Sequence, residues 1–186
     1  MSNATTSQYI SKAELEAGME HVAQSPQDRG TVEMIVTRPG SNERQVLEQG
    51  EFTLEEGLVG DNWLTRGSRH TEDGSALPGA QVTLMNGRYL DLLAGSRERW
   101  PLAGDQLIVD LDLSKSNLAV GQKLQIGTAL FEVTEVPHTG CVKFKERYGL
   151  EAMRFTGADL SQRLRGMYVK VVGPGTVQVG DTIQKV

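Results

Sequence analysis

From Gly30 onward the chain is a succession of short segments in which apolar and polar residues alternate, separated by glycine turns, and that pattern leaves few folds open. Leu107, Val109, Leu111 and Leu113 alternate with Gln106, Ile108, Asp110 and Asp112, so one side of that strand is strongly apolar and lines a core. Val32, Met34 and Val36 have the same period and read as one face of another strand. Further strands are expected at 81–85, 123–126, 129–136, 166–172 and 182–185. Ile126-Gly127-Thr128-Ala129 places glycine first in a two-residue loop, the arrangement of a type II′ hairpin turn. Alternation would turn Glu135 inward, so its strand should leave the core or bulge before Pro137. Short helices are expected at 88–94, at 142–148 ending at Gly149, and at 151–155. Many short strands without a regular βαβ rhythm favour a mainly β fold, a closed or nearly closed barrel decorated by short helices, because closure removes exposed edges.

Ahead of this region, Ser11-Lys12-Ala13-Glu14 fits a capping box with Ile10 and Leu15 as its staple. Leu15, Met19 and Val22 then mark one apolar face of a helix that ends before Pro26. The chain therefore divides into an N-terminal tail and helical appendage, 1–29, and a β domain, 30–186. With 186 residues, 38% of them hydrophobic, it is long enough for one well-buried core. Its 24 acidic and 19 basic side chains leave a net charge of -5, which offers no global positive field for nucleic acid or an anionic membrane. No apolar run approaches the roughly 18 to 20 residues of a membrane span, and the polar start Met1 to Gln8 lacks a signal-peptide core. The expectation is a cytoplasmic protein.

The chain has a single cysteine, Cys141, where a strand-like run stops and a helix-like run begins. One thiol cannot form an internal disulfide, and one thiol with three scattered histidines makes a poor closed zinc site. What remains is an inert buried thiol or a reactive one. Pro137 and Gly140 favour presentation of the sulfur on a shaped turn, and Lys143 and Arg147 bring positive charge near it.

Taken together, Gly57-Leu58-Val59-Gly60-Asp61, Gln81 to Asn86, Gly104-Asp105, Asn117-Leu118, Gly121, Ile126-Gly127, Pro137 to Gly149, Arg165-Gly166-Met167-Tyr168 and Val179-Gly180-Asp181 resemble the MOSC family, named for the C-terminal domain of molybdenum cofactor sulfurase. The resemblance implies a β-barrel of the kind also found in pyruvate kinase, with Cys141 as the central functional residue. This chain departs from the family's common pattern in two places. A glycine-glutamate-asparagine stretch is represented only by Asn117, and an arginine and second proline before the cysteine are replaced by His138-Thr139-Gly140.

The resemblance implies two roles for Cys141. It is either the protein ligand to molybdenum in the molybdenum cofactor (molybdopterin), a soft donor for a soft metal site, or it carries a persulfide supplied by a separate pyridoxal-phosphate cysteine desulfurase. The first role would suit reduction of small N-hydroxylated or N-oxide compounds with electrons from another protein. Arg66, Arg69, Asn86, Arg88, Asn117, Lys143, Arg147 and Arg165 are the candidates for holding the phosphate and pterin, each equally readable as a solvated surface residue. His138 could relay a proton or be a turn histidine bonded to backbone. Arg165 could aim into the barrel mouth or pair with Asp159 or Glu151.

Overall fold

The computed structural model describes residues 9–186, so the polar start read above lies outside the described residues. Eleven strands follow the first helix in chain order: β1 (Arg29–Thr37), β2 (Gln45–Leu47), β3 (Gln49–Thr53), β4 (Gly57–Leu58), β5 (Val82–Asn86), β6 (Leu107–Asp110), β7 (Lys123–Ile126), β8 (Ala129–Val133), β9 (Met167–Gly173), β10 (Gly175–Gln178) and β11 (Thr182–Lys185). The helices are α1 (Lys12–Ala23), α2 (Trp63–Arg66), α3 (Gly87–Ala94), α4 (Val142–Tyr148) and α5 (Leu150–Ala158). Hydrogen bonding runs β11-β7-β8-β9-β5-β6-β1, and β1 pairs back onto β11, so seven strands close into a barrel. Closure leaves no long free edge. A smaller sheet, β10-β3-β4, caps one side.

The expected hairpin forms as read. Ile126 faces Ala129 across a two-residue loop in which Gly127 has φ +54°, and an added Cβ there would meet Asp181 and the Thr176 carbonyl. All barrel pairings are antiparallel except β5 with β6, which α3 links as a single βαβ crossover. That unit was not apparent from the sequence rhythm. It explains why Val82 to Asn86 are buried throughout: Leu84 faces the barrel interior while Met85 faces the helices.

The expectation that Val32, Met34 and Val36 share a face does not hold. Val32 pairs with Val109 but Met34 pairs with Ile108, so Glu33 is an extra residue in a β-bulge that flips the strand. Val32 and Ile35 fill the barrel with Phe52, Leu107, Phe131 and Val169, whereas Met34 and Val36 pack outward against helices. At the barrel's centre, the Phe52 and Phe131 rings meet edge to face at 5.1 Å.

The outer layer is a second apolar cluster of α1, α3, α4 and α5 against Met85 and Ile108. The capping box on α1 is present: Glu14 N–H donates to Ser11 Oγ at 3.3 Å and Ser11 N–H to Glu14 Oε2 at 2.9 Å. Leu15 is fully buried in the cluster, so the helix is built into this layer. Among the described residues no helix is long and apolar enough to cross a membrane.

Candidate functional site

The segment after β8 is shaped by its anchors. Thr134 Oγ1 donates to the Gly79 carbonyl at 2.5 Å and its N–H to the Tyr168 carbonyl at 3.1 Å, after which the chain leaves the sheet and Glu135 is exposed. Cys141 then caps α4 in an extended conformation, and its carbonyl accepts the first intrahelical bond from Lys145 N–H at 3.1 Å. The helix is fixed by the buried rings of Phe144 and Tyr148, 5.1 Å apart. Its thiol is exposed.

Cys141 lies on the wall of a cleft of about 290 Å³ at the barrel rim. Six cations share that lining: Arg38, Arg44, Arg66, Lys143, Arg147 and Arg165. Two of them are held from below by buried carboxylates. Asp61 takes Arg38 in a two-point pair, Nε to Oδ2 at 2.9 Å and Nη2 to Oδ1 at 2.7 Å, and accepts the N–H groups of Arg38 and Trp63 as well. Asp105 accepts from Arg165 Nη1 at 2.6 Å, while Arg165 Nη2 donates to the Ala103 carbonyl at 3.2 Å. The guanidinium also sits 5.0 Å over the Phe144 ring, tying the arginine to the thiol-bearing helix.

Arg44, Arg66, Lys143 and Arg147 have no carboxylate within ion-pair distance among the described residues. Lys143 is steadied by Asn42 and Arg147 by the Leu102 carbonyl. Burial, followed by the charges of Arg147 and Arg38, lowers the pKa of Arg44; burial and then Arg38 do the same to Arg66. Crowded like charges with too few counterions make this cleft attractive to an anion despite the acidic chain. Polar atoms are also left without partners around it: Arg44 Nε, Asn62 Oδ1, His138 Nδ1 and Arg165 Nε are all buried and unbonded.

His138 is packed between these charges. Its ring packs against that of Tyr168 with centroids 4.6 Å apart and planes tilted by 41°, and Nδ1 is 3.7 Å from Asp105 Oδ1. Burial, then the positive charges of Arg165 and Arg38, push its pKa well below the ordinary 6.5, so the imidazole is neutral and the short approach to Asp105 is not an ion pair. Among the described residues its Nδ1 finds no hydrogen-bond partner, unlike that of the backbone-bonded turn histidine considered above. Burial likewise pushes the Asp105 carboxyl up, opposed by Arg165. The sign for His138 is fixed: between 6.5 and its depressed folded value the unfolded chain binds the extra proton, so stability is full above 6.5 and falls as pH is lowered. Chemical denaturation across pH should show a loss approaching about 1.4 kcal/mol per pH unit from this group, and that component should vanish in His138→Gln.

Of the residues singled out in the sequence, Cys141, His138, Arg66, Lys143, Arg147 and Arg165 line the one cleft. The others lie elsewhere. Asn86 caps α3, accepting from Tyr89 N–H and donating to Ser25 Oγ and the Leu111 carbonyl. Arg88 pairs with Asp110, and Asn117 donates to the Gln27 and Asp112 carbonyls. Arg69 is an exposed loop residue outside the cleft lining. Arg165 pairs with Asp105, not with Asp159 or Glu151. Arg38, Arg44 and Tyr168 were missed as cleft residues, as were the supporting carboxylates. Asp61 and Asp105 each end a glycine-containing motif quoted above, and a buried acid in such a turn was the available signal for an arginine partner.

A closed, mixed seven-stranded barrel with an exposed thiol in a cationic rim cleft defines a narrow class of protein. A family model described as MOSC domain matches residues 75–184, more than half of the chain, and the chain belongs to the MOSC family. Its fold is similar to that of the YUAD protein from Bacillus subtilis, at a TM-score of 0.64 and 16% identity over 83% of this chain and 94% of that one. It is also similar to YiiM from Escherichia coli, TM-score 0.55 and 20% identity over 85% and 69% of the two chains. YiiM from Geobacillus stearothermophilus gives 0.57 and 14% over 85% and 75%. Among curated proteins none matches significantly.

Proposed function

We propose that the cleft binds the molybdenum cofactor, with the Cys141 thiolate as the protein's ligand to the metal, and that the protein reduces small N-hydroxylated or N-oxide compounds. The observation that carries this reading is the convergence of the exposed Cys141 thiol with six cations and several unbonded buried polar atoms on one wall. No cluster of three or more His, Cys, Asp or Glu capable of holding a metal occurs among the described residues. A metal delivered on a soft dithiolene needs only one further thiolate, so the donor set fits the group. When bound, the cofactor supplies a metal that cycles electrons.

The chain's own residues then have distinct tasks. Arg44, Arg66, Lys143 and Arg147, which lack carboxylate partners, suit the cofactor's phosphate. Arg38 and Arg165, locked by Asp61 and Asp105, present fixed donors that need no reorganisation. His138, held neutral, lines the same cleft as the thiol and offers a ring nitrogen that can relay a proton, the imidazolium being short-lived because burial and the neighbouring arginines disfavour it. These 186 residues hold one cysteine, too few for an iron–sulfur cluster, and on this reading the electrons are supplied by a donor protein. The exposure of Cys141 also favours a second reading, in which it carries a persulfide received from a pyridoxal-phosphate cysteine desulfurase.

Molybdenum quantification separates the two. Protein produced with molybdate should carry near-stoichiometric metal, and Cys141→Ser, at an exposed position where folding is insensitive, should lower it by at least about tenfold. Cyanide-releasable sulfur without metal in the wild type would overturn the first reading and support the second.

A further inference from the structure

The Pro137–Gly140 segment also lines a second cavity, of about 230 Å³. Its wall is mostly hydrocarbon: Leu118, Val136, Pro137, Leu160, Leu164 and Met167. An apolar cavity of about 150 Å³ accommodates benzene, so this one has room for a ring and a substituent. It shares only His138 and Arg165 with the thiol cleft.

Three features show that the space is built and kept. Arg163 adopts φ +48°, unfavourable for a residue with a side chain, and from there its Nη1 donates to the Leu113 and Leu118 carbonyls at 3.2 and 2.7 Å, clamping one wall. Gly157 stands in the last turn of α5 on the cavity lining, although an added Cβ would meet nothing within 4 Å and its φ is not positive. Neither conformation nor packing calls for glycine there, and glycine costs about 1 kcal/mol in a helix relative to alanine. Gly157 is an exposed lining residue, and a bulky side chain there has open space in which to reach over the cavity. Charge supplies the third feature. Arg163 and Lys115 line this space with no carboxylate within ion-pair distance among the described residues, against a single acidic lining residue, the exposed Glu135.

We propose that this cavity is a binding site for a small apolar carboxylate, its hydrocarbon part seated against Leu118, Leu160, Leu164 and Met167 and its carboxylate paired with the Arg163 guanidinium at the edge. Half-burial of Arg163, which lowers its pKa through desolvation alone, strengthens its pull on an anion that enters. The site does not depend on metal or on Cys141. Its occupant would reach His138 and Arg165, the two residues shared with the thiol cleft, and so adjoin that cleft.

Titration of the ¹⁵N-labelled full chain with benzoate, and with benzamide as the neutral isostere, tests this by amide chemical shifts. Benzoate should move Leu118, Gly157, Leu160 and Met167, and benzamide should bind at least about tenfold more weakly. Gly157→Phe should abolish the response, Gly157→Ala should retain it, and Cys141→Ser should bind as the wild type does. Ala119→Phe, at an exposed lining position, is the independent filling variant. The proposal is overturned by equal binding of benzamide, by unchanged benzoate affinity in both filled variants, or by shifts that gather at Asn42 and Lys143 in the thiol cleft instead.

Discussion

Asp105→Ala should destabilise the protein by about 3–5 kcal/mol, measured as a fall in the midpoint of chemical denaturation with little change in slope. The carboxylate is fully buried and lies 2.6 Å from the guanidinium of Arg165, whose side chain is only 8% exposed. Removing the acid strands that cation between the barrel, the Phe144 ring and the Ala103 carbonyl, with part of its charge uncompensated. Relief by the cleft is limited, because Arg165 Nε is already buried and unbonded. The attribution is checked with Asp105→Leu/Arg165→Met, which removes both charges and should recover most of the loss, since apolar replacements of a buried pair are often neutral or better. Failure of the double variant to recover would mean that Asp105 acts through something other than this arginine. Molybdenum loading need not recover with it, because Arg165 also lines the cleft.

The second large effect is expected at the neighbouring glycine. Gly166 has φ +96°, and a Cβ there would lie 2.2 Å from the Leu84 carbonyl oxygen and 3.2 Å from its carbon. Both are backbone atoms of β5, and Leu84 is paired with Met167 of β9. No flexible side chain can give way, so the strands must separate. Gly166→Ala should therefore cost more than about 3 kcal/mol, strain of about 1–3 kcal/mol plus disrupted pairing, and yield little folded protein at physiological temperature. Gly157→Ala is the matched control, open around its added carbon, and should be neutral or slightly stabilising. A Gly166→Ala protein melting within a few degrees of wild type would show that the barrel relaxes there far more readily than its backbone contacts imply.

The local elements follow from neighbouring residues alone. The Ser11 box, the Gly127 hairpin, β7, β11 and α4 fall where pattern and turn chemistry put them, because each depends on interactions within a few residues. The family was readable too, from the ordered motifs that the matched region of residues 75–184 spans in large part. The remaining features depend on contacts between distant segments. The bulge at Glu33 swaps the faces of β1; β2 and β4 are only three and two residues long, and β3 and β10, each carrying a glycine and mostly polar residues, show no apolar alternation to read. At the cleft, Arg38 is 103 residues from Cys141 in the chain, and what selects it and Arg165 over Arg69 or Arg88 is a buried acid waiting beneath each. An arginine's role is set by which carboxylate closure of the barrel brings to it, and that pairing is nonlocal: alternation and capping act over a few residues, whereas the charges at this rim meet only once seven strands have joined.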